Sequence, residues 1–426
     1  MTATAANAGR LSPMAEGLLQ SEILKIAAEV RAMTSAGREV CNLTVGDFDP
    51  REFAVPDALR DGVIQALRDG ETNYPPSDGL LALREAIAAF YSRRAALAVP
   101  IERVLVASGS RPVIYAAYRA VCAPGDRVVY PVPSWNNPHY CHLVGAREVP
   151  VPCDPAEDFL PTRARLEDAL RGARLLVLNS PCNPTGTMFA RDVLAGICDA
   201  VLEENARRAG RERPLYLIWD QVYWLLAFGE VPHVSPLALR PELAEYTIVV
   251  DGISKALAAT GLRVGWSVAP PDVTRAMSDL VGHVGAWAPR AEQVATARVL
   301  ADDAVLDAHA RAMCAGLSAR LELLRGGIEA MRTRGLPVEC LRPEGAMYLS
   351  ARVAAQGRRA REGRALESDD EVRRWLLESA GLAAVPFQAF ASREETGWFR
   401  LSVGAASMDA LTRLLPRLES ALASLT

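Results

Sequence analysis

Five short apolar runs set the terms on which this chain can fold: RVLVASGSR, RVVYPVPSW, RLLVLNSPCNPTG, PLYLIWDQVYW and YTIVVDGISK. Each passes within a few residues into a polar or Gly-rich turn. Near-continuous Val, Leu and Ile predict strands buried on both faces. Between several of them lie helical patterns. RPVIYAAYRAVCAPG closes with Pro-Gly, and RDVLAGICDAVLEENARRAG ends on basic residues before Gly210. Alternating strands and helices imply an α/β class with a mostly parallel sheet covered by helices. Ligands of such sheets gather outside the carboxyl ends of the strands. That rule points at Ser110, Trp135, Asn183, Asp220 and Lys255.

At 426 residues the chain exceeds the usual size of a single core. SEILKIAAEVRAM near the start reads as an amphipathic helix, and ADDAVLDAHARAMCAGLSARLELLRGGIEAMRTRG as a long helical stretch leading out of the core. The strand-like GAMYLSARV follows, then a helix DDEVRRWLLESAG, the strand WFRLSVG and a last helix SMDALTRLLPRLESALASL. This mixture predicts a smaller α+β domain built from both chain ends. The expected division is 1–50 for an N-terminal arm and part of the small domain, 51–305 for the large domain, and 306–426 for the rest of the small domain. AAQGRRAREGRALESDDE, charged and punctuated by Gly, reads as a solvated loop.

A net charge of -4 gives no electrostatic footprint for nucleic acid or an anionic membrane. MTATAANAGRLSPMAEG lacks the basic start and apolar core of a signal peptide, and no run of about 18 apolar residues occurs, so a cytoplasmic protein is expected. The eight cysteines form no C-x-x-C pair, which favours reduced, mostly buried thiols. His139 and His142 stand three apart without an evident third ligand, so no metal is expected.

Lysine is scarce: of 47 Lys plus Arg, only Lys25 and Lys255 are lysines. An amine can lose its proton where its surroundings depress its pKa, and then attack a carbonyl, which arginine cannot do. Lys255, in VVDGISKALAATGLRVGW, is therefore a candidate for covalent chemistry.

Taken in order, NYPPSDG, ASGSR, PSW, NSPCNPTG, DQVY, SKALAATGLRVGW and RLS resemble the fold-type I pyridoxal-phosphate (PLP) enzymes, specifically the class I and II aminotransferases. The resemblance runs from LTVGDFDP to FRLSVG. It implies a large PLP-binding domain and an aldehyde cofactor held as a Schiff base on Lys255. Once an incoming amino acid displaces it, the lysine becomes a general base; such positioned proton transfer contributes on the order of 10² to 10⁴ in rate. PLP supplies the electron sink.

By the same resemblance, Asp220 pairs with the ring nitrogen, Tyr223 and Asn183 bond the ring's 3'-oxygen, and Trp135 stacks on the ring. Gly109, Ser110, Arg111, Ser254 and Arg263 surround the phosphate, where backbone N–H groups at a helix start already favour an anion. The family often writes the lysine loop S-x-S-K, whereas this chain has GISK, so Gly252 removes one expected hydroxyl. Tyr74 matches a tyrosine that reaches the neighbouring subunit's phosphate, implying a homodimer with shared sites. Arg400 matches the arginine gripping the α-carboxylate, a task suited to a planar fork. Gly46 matches the glycine whose backbone closes over that carboxylate.

The implied activity is transfer of an amino group between an amino acid and a 2-oxo acid. Arg111 also matches a position that recognises a distal carboxylate in one bacterial branch, which leans the donor toward aspartate or glutamate. Trp287, near the place where other branches supply a partner arginine, equally suits an aromatic or aliphatic donor, while Arg290 lies close by. Other fold-type I chemistry, a C-S lyase, cyclase or oxidase, uses the same turns, and product analysis with and without a 2-oxo acid separates them. A PLP-sensing regulator would carry a DNA-binding head, for which the short N-terminal stretch leaves no room. A nicotinamide dehydrogenase is disfavoured because no G-x-G-x-x-G follows the first strand.

Overall fold

The computed structural model describes residues 11–18 and 22–426, the side chains at 23 and 24 excepted. All five expected strands form, as Val104–Ala107, Arg127–Val132, Ala173–Asn179, Tyr216–Asp220 and Thr247–Gly252. Arg147–Pro152 and Gly265–Val268 join them in one seven-stranded sheet. Across that sheet the order is Val104–Ala107, Gly265–Val268, Thr247–Gly252, Tyr216–Asp220, Ala173–Asn179, Arg127–Val132, Arg147–Pro152. Only Gly265–Val268 runs antiparallel to its neighbours. Ala107, Val132, Asn179, Asp220 and Gly252 therefore all end strands at the same edge.

Side chains alternate between two cores, as the period of a strand requires. Leu217, Trp219 and Val249 enter the core closed by helices Leu81–Ala95, Arg191–Arg208 and Arg290–Leu300. Ile218, Ile248 and Val250 enter the one closed by Ser110–Val121, Asn137–Val144 and Pro271–Val284. Each such side chain contributes about 1.5–3 kcal/mol on burial, so both faces are committed to helices and the open strand edge is left for a site.

The second unit has its own core. The helix Asp303–Thr333 brings Leu317, Leu321, Leu324 and Ile328 against Phe48, Phe53, Leu349 and Phe399. Its antiparallel sheet runs Val385–Pro386, Trp398–Ser402, Tyr348–Val353, Val338–Cys340. Cys41–Asn42 pairs in parallel with Leu382–Ala383, and the Ser402 N–H donates to the Leu43 carbonyl at 2.8 Å. Residues from both chain ends thus share one core. The expected boundary at 305 falls in the first turn of Asp303–Thr333. The early helix is Glu22–Ser35; Ser21, with which its pattern begins, lies outside the described residues. Among the described residues no helix is long and apolar enough to cross a membrane.

Candidate active site

A cavity of about 680 Å³ opens at the carboxyl edge of the large sheet, where the small unit covers it. Ser110, Arg111, Trp135, Asn183, Asp220, Tyr223, Ser254, Lys255, Arg263, Gly46 and Arg400 all line it. Gly109 lies just behind, and Tyr74 does not reach it.

The lysine loop is shaped by three glycines. Gly252 pairs with Gly265 across the two strands, and a Cβ at Gly252 would stand 2.8 Å from the Val264 carbonyl oxygen. A serine there has no room, which accounts for GISK in place of S-x-S-K. A Cβ at Gly265 would stand 2.4 Å from Ser110 N, and one at Gly109 (φ 87°) 2.2 Å from the Arg263 guanidinium. Glycine at all three lets the strand ends and Arg263 close on one another. Arg263 donates to the carbonyls of Thr260 (2.6 Å) and Ser108 (3.0 Å).

The single turn Ile253–Ala256 then presents Ser254 and Lys255. Lys255 Nζ donates to the Gly46 carbonyl at 2.5 Å. Burial depresses the amine to about 8, helped by Arg400, Arg111 and Arg263 and opposed by Asp47. An appreciable neutral fraction near pH 8 is what a nucleophilic amine requires. On the neighbouring strand the Asp220 carboxyl is pushed up to about 7 by burial, against one hydrogen bond from the Val222 N–H at 3.2 Å. A cation beside it would restore the anion.

Asn179, the first residue of NSPCNPTG, ties two parts of the site together. Its Nδ2 donates to the Asp220 carbonyl (2.9 Å), and its Oδ1 accepts from the Asn183 N–H (2.7 Å). Asn183 Oδ1 in turn accepts from Arg400 at 3.0 Å. This fixes the amide's orientation and leaves Nδ2 of Asn183 as a donor. Arg400 is 1% exposed and also donates to the Thr44 carbonyl at 2.7 Å. Its guanidinium lies between the rings of Tyr348 (4.7 Å) and Phe390 (4.8 Å), and its Nε is buried without a partner. No carboxylate pairs with it among the described residues. A buried cation whose partners are carbonyls and ring faces is suited to receive a carboxylate.

Tyr223 meets Tyr348 hydroxyl to hydroxyl at 2.7 Å. Neither Tyr348 nor Phe390 was among the expected site residues. In GAMYLSARV a tyrosine at the head of a strand carries no signal beyond β propensity. Arg111 stacks its guanidinium on Trp135 at 4.6 Å, so one ring face is already taken. Arg290 is held by Glu71. Tyr74 is 81% exposed and touches Trp287 edge-on at 5.1 Å.

These groups fit pyridoxal 5'-phosphate. The loosely protonated amine matches its aldehyde, the half-buried Asp220 its basic ring nitrogen, and the Ser110 helix start with Arg263 its phosphate.

Comparison with known proteins agrees. The family described as "Aminotransferase class I and II" matches residues 38–418. An aspartate aminotransferase of Streptomyces avermitilis is 30% identical over 403 residues, covering 94% of this chain and 93% of that protein. One from Geobacillus stearothermophilus is 29% identical over 420 residues, 96% and 98% of the two chains. Among solved structures, the Rhizobium meliloti aspartate aminotransferase superposes with TM-score 0.88 at 28% identity, covering 98% of this chain and 99% of that one. The Thermus thermophilus aspartate aminotransferase with maleate gives 0.85 at 28%, covering 97% and 99%. A match over residues 38–418 makes this chain a member of the class I and II aminotransferases, enzymes that work with pyridoxal phosphate.

Proposed function

We propose that the enzyme moves the amino group of aspartate or glutamate to a 2-oxo acid, with 2-oxoglutarate as acceptor. The observation that carries this reading is a pair of arginines in one cavity. Arg400 is buried beneath Asn183, and Arg111 lies on the Trp135 face, neither of them neutralised by a side-chain carboxylate among the described residues. Two such cations suit a dicarboxylate. The names of the relatives support it, as does maleate, a dicarboxylate without an amine, in the Thermus thermophilus structure.

In this reading Arg400 and the Gly46 backbone hold the α-carboxylate, and Arg111 holds the distal one. Lys255 carries the cofactor and, once released, takes the proton from the substrate's α-carbon. Asp220, as the anion, keeps the ring nitrogen protonated, while Tyr223 and Asn183 Nδ2 donate to the ring oxygen. Trp135 covers the ring. Gly109, Ser110, Ser254 and Arg263 receive the phosphate. The cofactor supplies an electron sink for the carbanion; the rest of the work is orientation and proton movement by these side chains.

The exposed Tyr74 suits a homodimer in which it completes the partner's phosphate site. The reading also includes a cytoplasmic enzyme, and the division 1–50, 51–305, 306–426, supported by a core that joins Cys41, Leu43 and Phe48 to residues from Met313 onward, with Phe53 and Tyr223 packed into it from the large unit. Turnover of aspartate and of a neutral amino acid by wild type and Arg111→Ala tests the donor. Aspartate should lose far more. Equal losses would remove Arg111 from substrate recognition and leave it to the phosphate.

A further inference from the structure

We propose that Tyr348 is a positioning residue for amino transfer: its hydroxyl donates to Tyr223 and thereby strengthens the hydrogen bond that Tyr223 gives to the cofactor's ring oxygen. This rests on the cofactor placement described above. Tyr348 is 1% and Tyr223 3% exposed, their hydroxyl oxygens are 2.7 Å apart, and their rings meet edge-on at 5.7 Å. Each phenol has one proton. Beside Tyr348 stand the Arg400 guanidinium, 4.7 Å from the ring centre and able only to donate, and Gly46, whose Cβ position is 3.2 Å from the hydroxyl. Among the described residues the Tyr348 hydroxyl has Tyr223 as its one hydrogen-bond partner. The Tyr223 oxygen is therefore the acceptor available to Tyr348, and the Tyr223 proton is the one left to point into the cavity.

Two features make Tyr348 a good donor. The cation over its ring draws electron density from the phenol, and hydrogen bonds in series reinforce one another in a buried site. Its place is also fixed. Tyr348 opens a strand and pairs with Ser402 two residues beyond Arg400, so one strand pair sets both the carboxylate grip and the second phenol. Tyr348 thus touches the ring-oxygen donor, the carboxylate arginine and the glycine that holds the lysine.

The consequence can be read from colour. The nitrogen joining cofactor and Lys255 loses a proton as pH rises, and the absorbance changes with it. Negative charge on the adjacent ring oxygen retains that proton. A stronger hydrogen bond to that oxygen draws the charge away and lowers the midpoint. Removing the Tyr348 hydroxyl should therefore raise it.

The test is a spectroscopic pH titration of the cofactor-loaded enzyme. Tyr348→Phe should raise the midpoint by about half to one pH unit, the range given by one net hydrogen bond. In a Tyr223→Phe background the same substitution should move it little, because the route through Tyr223 is gone. Met347→Leu, a fully buried neighbour with no hydroxyl, should leave the midpoint in place. If Tyr348→Phe fails to fold, 3-fluorotyrosine at position 348 makes a more acidic donor and should shift the midpoint downward. An unmoved midpoint, or equal shifts with and without the Tyr223 hydroxyl, overturns the proposal. Wild type that shows no lysine-linked absorbance would overturn the cofactor placement as well, a separable outcome.

Discussion

Arg400→Ala tests how the site binds substrate. The guanidinium is fixed by Asn183 Oδ1 at 3.0 Å, the Thr44 carbonyl at 2.7 Å and two flanking rings. A carboxylate received by this fork gains two charge-assisted bonds of roughly 1.5–3 kcal/mol each. Losing both costs about 3–6 kcal/mol, which corresponds to a fall of about 10² to 10⁴ in kcat/KM. The substitution also strands two buried acceptors, so the fold itself should lose about 1–3 kcal/mol for each. Stopped-flow absorbance of the cofactor, mixed with aspartate and separately with an amine lacking a carboxylate, distinguishes the effects. Aspartate should show the large loss and the simple amine little. Losses of equal size for both, or aspartate reacting within about threefold of wild type, would refute the assignment of Arg400 to the α-carboxylate.

Two further outcomes follow from the geometry. In cofactor-free protein the Asp220 carboxyl sits near 7 against an ordinary 3.8, so its burial costs no stability below about pH 4, and stability is lost as pH rises toward and through 7. Asp220→Asn should then raise the Tm of the cofactor-free protein at pH 7.5 and leave it unchanged near pH 4; a pH-independent effect would contradict the burial argument. If Tyr74 completes the partner's site, mixing inactive Lys255→Ala subunits with a severely impaired Tyr74→Phe variant should restore activity in heterodimers carrying one wild-type site. No recovery despite demonstrated subunit exchange would count against sharing.

How much of this was legible in the sequence depends on how local the cause was. The five expected strands announce themselves because burial on both faces demands continuous Val, Leu and Ile. Arg147–Pro152 escapes because it lies at the sheet edge, half-exposed, with prolines at 150 and 152. Gly265–Val268 escapes because four residues beginning with glycine carry too little pattern. Lys255 stands out by scarcity and by its place after a strand. The reason for Gly252 is visible only when Gly265 and Val264 are brought beside it. Tyr348 and Phe390 have no signature of their own, and Asn179, though it opens NSPCNPTG, carries no mark of its role there. Their importance comes from distant partners: Arg400 lies 52 residues beyond Tyr348, and Asp220 is 41 residues from Asn179.

Lys255 is the amine proposed to carry the cofactor, and the chain offers only one other lysine, Lys25, whose exposed Nζ pairs with Glu22. Borohydride reduction of the cofactor-loaded enzyme makes the bond permanent, and peptide mapping by mass spectrometry then locates it. The cofactor is expected on the peptide containing Lys255 and should be lost from that peptide in Lys255→Ala. Label on Lys25 or on the chain's α-amine, with the Lys255 peptide unmodified, would contradict it.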